Sequence, residues 1–366
     1  MNWWQTYLAT AATAAVLSTC LTFLCRRAGR HFGFVDQPFR EAHKRHRQPI
    51  PVFGGVGMYL AWVGTVGLGL FGMHYLRTLM GAGVVRFLSG VPHVLPELAI
   101  ISVGGGALVL LGLIDDRWSL PAGVKFAGQF LVAGSVALSG VRVTLFWQVP
   151  LVTWAITTLW ILTLINAINF FDNMDGLAAG TVLIAAVLFG FVAAIRGQHF
   201  VAVLAAATAG STLGFLVYNR PPASIFMGDA GSHFLGYLLA VLGALTTFYA
   251  PGEAPTPAPI LIPLFVLGLP LFDLVAVVVM RLHYRKPVYV GDHTHISHRF
   301  EKMGLSRARA VLMVHLLTFT IGAGAVTLLW VPAIGAVVVF LQSVAVLTVV
   351  TFLQSYASEA REEESC

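Results

Sequence analysis

The sequence predicts an all-α, polytopic membrane protein, a bundle of about eleven transmembrane helices. Hydrophobic residues make up 57% of the 366 residues and charged residues only 10%, whereas soluble domains carry roughly 25% charged residues. Eleven apolar runs are long enough to cross about 30 Å of hydrocarbon as helices. Because lipid offers no partners to backbone N–H and C=O groups, we expect these runs to be helical, which satisfies those groups internally.

Short loops connect the eleven apolar runs, so we expect no separate soluble domain. The runs lie near residues 6–25, 52–72, 96–114, 122–140, 148–168, 177–195, 199–218, 232–250, 258–280, 309–330 and 332–353. The opening stretch MNWWQTY has no basic segment and no small-residue cleavage site, which indicates a retained helix rather than a signal peptide. We predict one integral-membrane domain over 1–354 and a charged, solvated cytoplasmic tail over 355–366.

Basic residues predict the orientation in the membrane, because Lys and Arg accumulate in cytoplasmic loops. The loops at 26–51 and 281–309 each hold seven of the 22 basic residues, and both follow odd-numbered runs. We therefore expect the amino terminus outside and the carboxyl terminus in the cytoplasm. Basic side chains in short loops beside the bilayer favour anionic lipid heads as partners and argue against nucleic acid.

Carboxylates are rare and unevenly placed. Only 16 residues are acidic, and the aspartates at the ends of the third, fifth and seventh runs all fall on the predicted cytoplasmic side. A carboxylate at a helix centre costs about 2.5–3.5 kcal/mol on insertion scales, so we expect these groups at the interface or in a hydrated cleft. The sequence thus predicts one polar site, assembled from distant segments at the inner membrane surface.

Two of the acidic motifs follow apolar runs. LIDDRWSL places Asp115 and Asp116 at the end of a helix, where negative charge is disfavoured, and a solvated topological stop is the alternative interpretation. NAINFFDNMDG sets Asn166, Asn169, Asp172 and Asp175 three residues apart. That spacing requires a helix that tightens toward 3₁₀ or one that ends before Asp175. The following glycine favours an ending, and simple helix capping is the alternative.

The third acidic motif, NRPPASIFMGDAGS, precedes an apolar run. Asp229 lies between Gly228 and Gly231, and small residues let backbone amides approach a ligand. A helix start also favours phosphate, although a plain N-cap role for the aspartate is the alternative.

Five carboxylates on one rim need a cation. Two of them at close range repel by about 4 kcal/mol at an effective dielectric near 20. Oxygen-only ligands point to Mg²⁺ or Mn²⁺, and Mg²⁺ usually takes one or two carboxylates together with substrate phosphates and water. We therefore expect some of the five to have other roles.

Histidines and cysteines do not predict a zinc site. The cysteines Cys20, Cys25 and Cys366 form neither a CxxC pair nor a cluster with histidine. Histidines occur in AHKRHRQPIPVFGG and YVGDHTHISHRFEKMG, without an HExxH motif. Hydrogen bonding to phosphate oxygens fits the neighbouring acidic rim better, and ordinary loop charge is the alternative.

Taken in order, these motifs resemble the polyprenyl-phosphate N-acetylhexosamine-1-phosphate transferases. The resemblance covers almost the whole chain and rests on five elements: HKRHRQPIPVFGG, LIDDRWSL, NAINFFDNMDG, NRPPASIFMGDAGS, and PLFDLVAVVVMR followed by HTHISHR. Similarity is greater to the WecA/TagO branch than to the MraY branch, because PLFD with Asp273 precedes the histidines and an eleventh run brings the carboxyl terminus inside.

The resemblance implies a reaction. A sugar-1-phosphate, expected to be GlcNAc-1-phosphate, would pass from a UDP-sugar to undecaprenyl or another polyprenyl phosphate, with release of UMP. The cofactor would be Mg²⁺, with Mn²⁺ as a substitute. The reaction would take place at the cytoplasmic side of the inner (plasma) membrane and begin a cell-envelope glycan, and the family also allows a homodimer.

The resemblance also assigns roles to residues. Asp115, Asp116 and Asp229 would be the catalytic residues, with Asp115 and Asp116 near the lipid phosphate or the metal. Asp229 and Asp172 would be the metal ligands. The remaining substrate-binding residues would be Asn169, Asp172, Asp175, Asn219, Phe226, Lys125, His46, His295, His298 and Arg299. The chain departs from the family pattern at Ser297, where a third histidine is expected, and at His293, which replaces Lys or Arg.

Two other functions remain as alternatives. An intramembrane prenyltransferase would hold Mg²⁺ with DxxxD-type clusters, a form that neither DDRWS nor DNMDG has. A transporter would carry charged residues near mid-membrane at broken helices, where only Asp273, beside Pro270, qualifies.

Overall fold

The computed structural model describes residues 2–37, 48–75, 90–143, 149–250, 252, 254–285, 287 and 295–364. Within these ranges the regular structure is helical, apart from a two-stranded antiparallel ribbon, β1 (Val35–Asp36) and β2 (Ile50–Pro51). The predicted all-α class is therefore confirmed. The helices are α1 (Trp3–His31), α2 (Gly54–Tyr75), α3 (Val91–Trp118), α4 (Ala122–Leu138), α5 (Pro150–Phe171), α6 (Leu177–Ile195), α7 (His199–Asn219), α8 (Gly228–Leu245), α9 (Ile262–Val266), α10 (Gly268–His283), α11 (Ile296–Lys302), α12 (Arg307–Val326) and α13 (Ala333–Glu364).

The helices agree with the predicted apolar runs in position, with one exception. Among the described residues, eight helices are long and apolar enough to cross a membrane, and the bent pair α9–α10 is a ninth candidate. Helices α4 and α8 coincide with the fourth and eighth runs. The exact number of spans and the orientation of the termini stay predictions. Helix α13 continues beyond residue 354 to Glu364, and the proposed division of the chain there also stays a prediction.

The exception is the predicted run over 258–280, which is a bent pair of helices rather than one straight helix. The chain bends by 68° between the segments Ala258–Val266 and Gly268–His283. Pro270 explains the break, because a proline has no N–H to donate and its ring clashes with the carbonyl four residues earlier, here that of Val266. Hydropathy alone could not show this, since the prolines interrupt the backbone hydrogen bonding without lowering the apolar content.

Helix α8 lies at the centre of the bundle. Every residue from Ala230 to Ala244 is buried, and the helix packs against α3 and α5 on its two principal sides. A helix that is enclosed all round in this way cannot be amphipathic. Asp229 lies in the first turn of α8, at one end of the bundle, where other helices also begin or end.

Glycines let neighbouring helices approach α8 closely. A Cβ atom on Gly112 of α3 would lie 2.2 Å from the backbone nitrogen of Ala230, and one on Gly55 of α2 would lie 2.2 Å from that of Gly231. The backbone N–H of Gly55 also donates to the carbonyl of Met227 at 3.0 Å. Because lipid gives helices no hydrophobic reason to associate, such backbone contact is what fixes their crossing.

Replacing Gly112 with alanine should destabilise the bundle. The added methyl group would meet the backbone of α8, which has no room to move, so we expect a loss of roughly 1–3 kcal/mol or more. Thermal unfolding of the purified protein in detergent measures the loss. Gly67→Ala is the matched control, because nothing lies within 4 Å of its Cβ position. Equal stability of the two variants would contradict the close crossing.

Candidate active site

Four helix ends bring charged and polar side chains together. Helix α3 ends with Asp115 and Asp116, α4 begins near Lys125, α5 ends near Asn169, and α8 begins with Asp229. Hydrogen bonds and ion pairs join these five residues directly. The predicted convergence of the acidic motifs on one site is therefore what the structure shows for these residues.

Lys125 bridges two of the carboxylates. Its Nζ lies 2.9 Å from Asp115 Oδ2 and also contacts Asp229 Oδ2. The other oxygen of Asp229 accepts a hydrogen bond from Asn169 Nδ2 at 2.8 Å, and the same amide donates to Ser232 Oγ at 2.9 Å. A carboxylate has about four lone-pair positions, so both oxygens of Asp229 can still accept a further partner.

Asp116 caps helix α8 from a different helix. Its Oδ1 accepts from the backbone N–H of Asp229 at 2.9 Å, and its Oδ2 from that of Ala230 at 3.4 Å. A negative side chain at a helix start satisfies free N–H groups and complements the helix dipole. Gly228, at φ +67°, makes room for it, since a Cβ there would lie 2.5 Å from Asp116 Oδ2. Asp116 thus holds the turn that carries Asp229.

Asp115 is fixed by two partners. Its Oδ1 accepts from the backbone N–H of Leu120 at 2.7 Å, while Oδ2 faces Lys125. The turn between them includes Ser119 at a left-handed φ of 50°. A carboxylate engaged on both oxygens in this way orients the lysine and stabilises the turn after α3.

The NAINFFDNMDG motif adopts the second of its two predicted forms. Helix α5 ends at Phe171, before Asp175, and Gly176 takes the left-handed conformation at φ 74°. The pKa of the partly buried Asp172 is raised to about 7, first by burial and then by the carboxylates of Asp229 and Asp175. A cation bound beside Asp172 would therefore stabilise the ionised form of its carboxyl group.

Asp175 and Asn219 hold the loop before α8. Asp175 Oδ2 accepts from the backbone N–H of Ala223 at 2.9 Å. The buried Asn219 accepts from the N–H of Gly176 at 3.0 Å and donates to the carbonyl of Ile225 at 2.9 Å. These contacts give both side chains a structural role. The substrate-binding role expected for them stays a prediction.

Phe226 lies where this loop meets the β-ribbon. Its backbone N–H donates to the carbonyl of Pro51 at 2.8 Å, and its carbonyl accepts from Gly54 at 3.0 Å. Its ring is partly buried. The backbone of Phe226 is thus fixed on both sides of the residue.

The histidine segment is fastened at two points. Asp273 of α10 receives His295 Nδ1 at 2.6 Å and the backbone N–H of Ile296 at 2.7 Å, and both side chains are buried. Ser297 Oγ donates to Asn173 Oδ1 at 2.6 Å. The serine found in place of the expected third histidine therefore ties this segment to the turn that carries Asp172.

The other predicted donors are only partly described. His298 Nδ1 lies 3.5 Å from Glu301 Oε2, and Arg299 Nη2 lies 2.9 Å from Met280 Sδ. Both residues belong to the short helix α11. His46 and His293 lie outside the described residues.

A resident metal would need few protein ligands here. Across the described ranges, no group of three or more His, Cys, Asp or Glu side chains is arranged to hold a metal ion. Mg²⁺ commonly takes one or two carboxylates and completes its coordination with substrate oxygens and water. The oxygen-only pair of Asp229 and Asp172 fits that pattern, whereas a site made of all five carboxylates does not.

Several residues of the site were not assigned a role from the sequence. Ser232 contacts Asn169, Asn173 receives Ser297, and Asp273 anchors His295. Gln129 and His233 are also fully buried in α4 and α8. A signal was present for these two, because a polar side chain inside an apolar helix is costly unless it has a partner.

Together the fold and the site define a class of protein: a polytopic membrane protein with a charged polar site at the meeting point of its helix ends. Residues 98–247, which contain Asp115, Asp116, Lys125, Asn169 and Asp229 but not Asp273 or the histidine segment, match the family model described as glycosyl transferase family 4.

Relatives from several bacteria agree over most of the chain. It is 33% identical to a probable undecaprenyl-phosphate N-acetylglucosaminyl 1-phosphate transferase of Bacillus subtilis, over 90% of this chain and 88% of the relative. Identity is 32% to a decaprenyl-phosphate N-acetylglucosaminephosphotransferase of Mycobacterium tuberculosis, over 93% and 87%. It is 26% to an undecaprenyl-phosphate alpha-N-acetylglucosaminyl 1-phosphate transferase of Escherichia coli K12, over 82% and 78%.

The chain therefore belongs to glycosyl transferase family 4, and it is a membrane-bound sugar-phosphate transferase. The family predicted from the five motifs is confirmed. The prenyltransferase and transporter alternatives are set aside, because neither accounts for similarity that extends over nine-tenths of the chain.

Asp273 should act on transfer activity through His295. Asp273→Asn keeps the side-chain volume but replaces one acceptor oxygen with an NH₂ group. That group cannot accept a hydrogen bond from either His295 or the backbone N–H of Ile296, so the histidine loses its fixed orientation. We expect activity to fall roughly tenfold, the size seen when an orienting partner of a functional histidine is lost. In a His295→Gln background, the same change should cost nothing further. Ser343→Ala, in α13, is the control, and additive losses would contradict the coupling.

Proposed function

We propose that the protein transfers N-acetylglucosamine-1-phosphate from a UDP-sugar to undecaprenyl phosphate or a related polyprenyl phosphate, in a Mg²⁺-dependent reaction that releases UMP. The reaction would take place at the cytoplasmic face of the plasma membrane and begin a cell-envelope glycan. The contact of Lys125 with both Asp115 and Asp229 supports this most. It places a cation beside carboxylate oxygens at the ends of membrane helices, and those of Asp229 can still accept a further partner.

The chemistry joins two anions. A phosphate oxygen of the acceptor would attack the β-phosphorus of the nucleotide sugar, and the bond from that phosphorus to UMP would break. The two anions repel until their charge is neutralised, so positive groups held in place lower the barrier. Lys125 would supply such a positive group in this chain, and the histidine segment would supply hydrogen-bond donors. A phosphate nucleophile is already ionised near neutral pH, so Asp115, whose oxygens are both engaged, has no need to act as a base.

Asp229 and Asp172 would hold the divalent ion. When bound, Mg²⁺ or Mn²⁺ would neutralise the pyrophosphate and polarise its oxygens. Asn169 would keep Asp229 oriented through the hydrogen bond to Oδ1, and Asp116 would hold the helix turn beneath it. The remaining carboxylates would then serve the architecture of the site rather than the ion, as their contacts with Leu120 and Ala223 suggest.

The position at helix ends suits the substrates. A polyprenyl tail is soluble only in the bilayer and a nucleotide only in water, so the two meet at the membrane surface. The names of the relatives specify both a polyprenyl phosphate and N-acetylglucosamine, which supports GlcNAc as the transferred sugar. Phe226 would stack on the uracil ring, and Asp175 and Asn219 would support that side of the pocket.

A reconstituted assay tests the proposal. Purified protein in detergent would be given radiolabelled UDP-GlcNAc, undecaprenyl phosphate and Mg²⁺, and UMP and the lipid-linked product would be measured. Omission of the lipid, or chelation of the metal, should abolish both products. UDP-GalNAc and UDP-MurNAc-pentapeptide serve as competing donors. Absence of UMP with every donor would refute the proposal. Product formed only with another donor would show that the transferred sugar is not GlcNAc.

Asp229→Asn should abolish turnover. The amide removes one acceptor oxygen and the charge that pairs with Lys125, so the proposed metal site and the lysine both lose their partner. Activity should fall by at least about a hundredfold, as measured by UMP release. Glu97→Gln, at the other end of α3, is the matched control and should keep full activity. Near-normal turnover of Asp229→Asn at ordinary Mg²⁺ would remove this residue from the site.

Phe226→Ala should mainly weaken binding of the nucleotide sugar. Loss of a stacking partner for a base costs roughly 1–3 kcal/mol, so the KM for the donor should rise several-fold or more while kcat changes little. The KM for the polyprenyl phosphate provides the internal control. An unchanged donor KM would argue against stacking.

A further inference from the structure

A second polar layer lies one helical turn beneath the site. Gln129 Nε2 lies 3.2 Å from His233 Nε2, and Asn166 Nδ2 donates to Gln129 Oε1 at 2.9 Å. Gln129 and His233 are completely buried. Asn166 also donates to the carbonyl of Leu162 at 2.8 Å, within its own helix. These three polar side chains are therefore connected to one another in the interior of the bundle.

The layer repeats the pattern of the site above it. Gln129 follows Lys125 by four residues on α4, and His233 follows Asp229 by four residues on α8. Helices α4 and α8 both begin at the site, whereas α5 ends there, so Asn166 comes three residues before Asn169. Residues three or four apart lie on one helix face, about one turn of 5.4 Å apart. The same three helices are thus linked twice, at successive depths.

The hydrogen bonds of the second polar layer connect α4 with α8, two helices that pack mainly against α3 and α5 rather than against each other. Helix α4 packs against α3 and α5, and α8 packs against the same two helices. Side chains connect α4 to α8 across this arrangement: Lys125 with Asp229, and Gln129 with His233. Because membrane helices lack a hydrophobic driving force for association, interhelical hydrogen bonds help to set their register.

We propose that Gln129, His233 and Asn166 form a positioning layer, which fixes the register of α4, α8 and α5 and so holds Lys125, Asp229 and Asn169 within reach of one substrate. None of the three would touch the reacting atoms. Their effect on transfer rests on the proposed function, but their effect on the geometry of Lys125 does not.

Leucine substitutions separate this role from simple stabilisation. Gln129→Leu or His233→Leu alone leaves a buried polar partner unsatisfied, which lowers stability. The double variant removes both partners while Asn166 keeps its hydrogen bond to the carbonyl of Leu162, so its stability should return close to that of wild type. If the layer only stabilised the bundle, activity would return as well. A positioning layer instead predicts restored thermal stability with kcat still reduced roughly tenfold or more, and little change in donor KM.

Two further variants complete the comparison. His233→Gln can still accept a hydrogen bond from Gln129, so it should retain kcat within about twofold of wild type, whereas His233→Leu should not. The matched control is the double change Trp62→Phe and Thr208→Val. That pair is a buried interhelical hydrogen bond of 3.1 Å between α2 and α7, outside the site, and its loss should leave kcat unchanged.

A chemical readout makes the test independent of turnover. Acetylation of Lys125 by acetic anhydride, measured by mass spectrometry relative to the exposed Lys302, reports how firmly the lysine is held by its two carboxylates. The Gln129→Leu/His233→Leu variant should label Lys125 several-fold faster than wild type, and the control pair should not. Unchanged labelling, or kcat restored together with stability, would overturn the proposal. Absence of turnover in wild type with altered labelling in the variant would refute the proposed function alone.

Discussion

The rest of the site depends on one interaction, the placement of Lys125 between Asp115 and Asp229. Charges near the middle of a helix bundle are costly unless they are paired and hydrogen-bonded. Here three helices each contribute one member of the set, so the charges are compensated only when α3, α4 and α8 are all in place. The ion pairs therefore specify the assembly of the bundle at this end, and the assembly in turn holds a lysine between two carboxylates.

Several polar side chains of the site are tolerated inside the bundle because they hydrogen-bond to free backbone groups at helix termini. Asp116 satisfies the free N–H groups at the start of α8, which otherwise would require water in the centre of the bundle. Asn219 does the same for the N–H of Gly176 before α6. Several polar side chains of the motifs thus accept hydrogen bonds from the backbone. Among the described residues, both oxygens of Asp229 can still accept a further partner, and Asp229 and Asp172 are the residues proposed above to hold a metal ion.

The positions and ends of helices depend on the local sequence pattern and could be predicted from it. Apolar length located the helices, and the three-residue spacing correctly indicated that α5 could end before Asp175, although the left-handed Gly176 proves to precede α6 rather than to close α5. The local pattern did not distinguish residues that bind ligands from residues that hold the backbone, as the contacts of Asp116 and Asn219 show, because that depends on tertiary neighbours. The pairing of Gln129 with His233 likewise joins residues 104 positions apart, and nothing in either segment alone names the other.

The broken helix α9–α10 shows how a feature associated with transport can serve an enzyme. A buried acid beside a proline break is typical of transporter binding sites, and Asp273 has both properties. In this protein its two oxygens are engaged by His295 and by the backbone of Ile296, so the acid holds a protein segment rather than a cargo. The 68° bend redirects α10, while α11 follows His295 directly and Ser297 reaches Asn173. A break in a span is therefore evidence about function only after the partners of its buried charges are known.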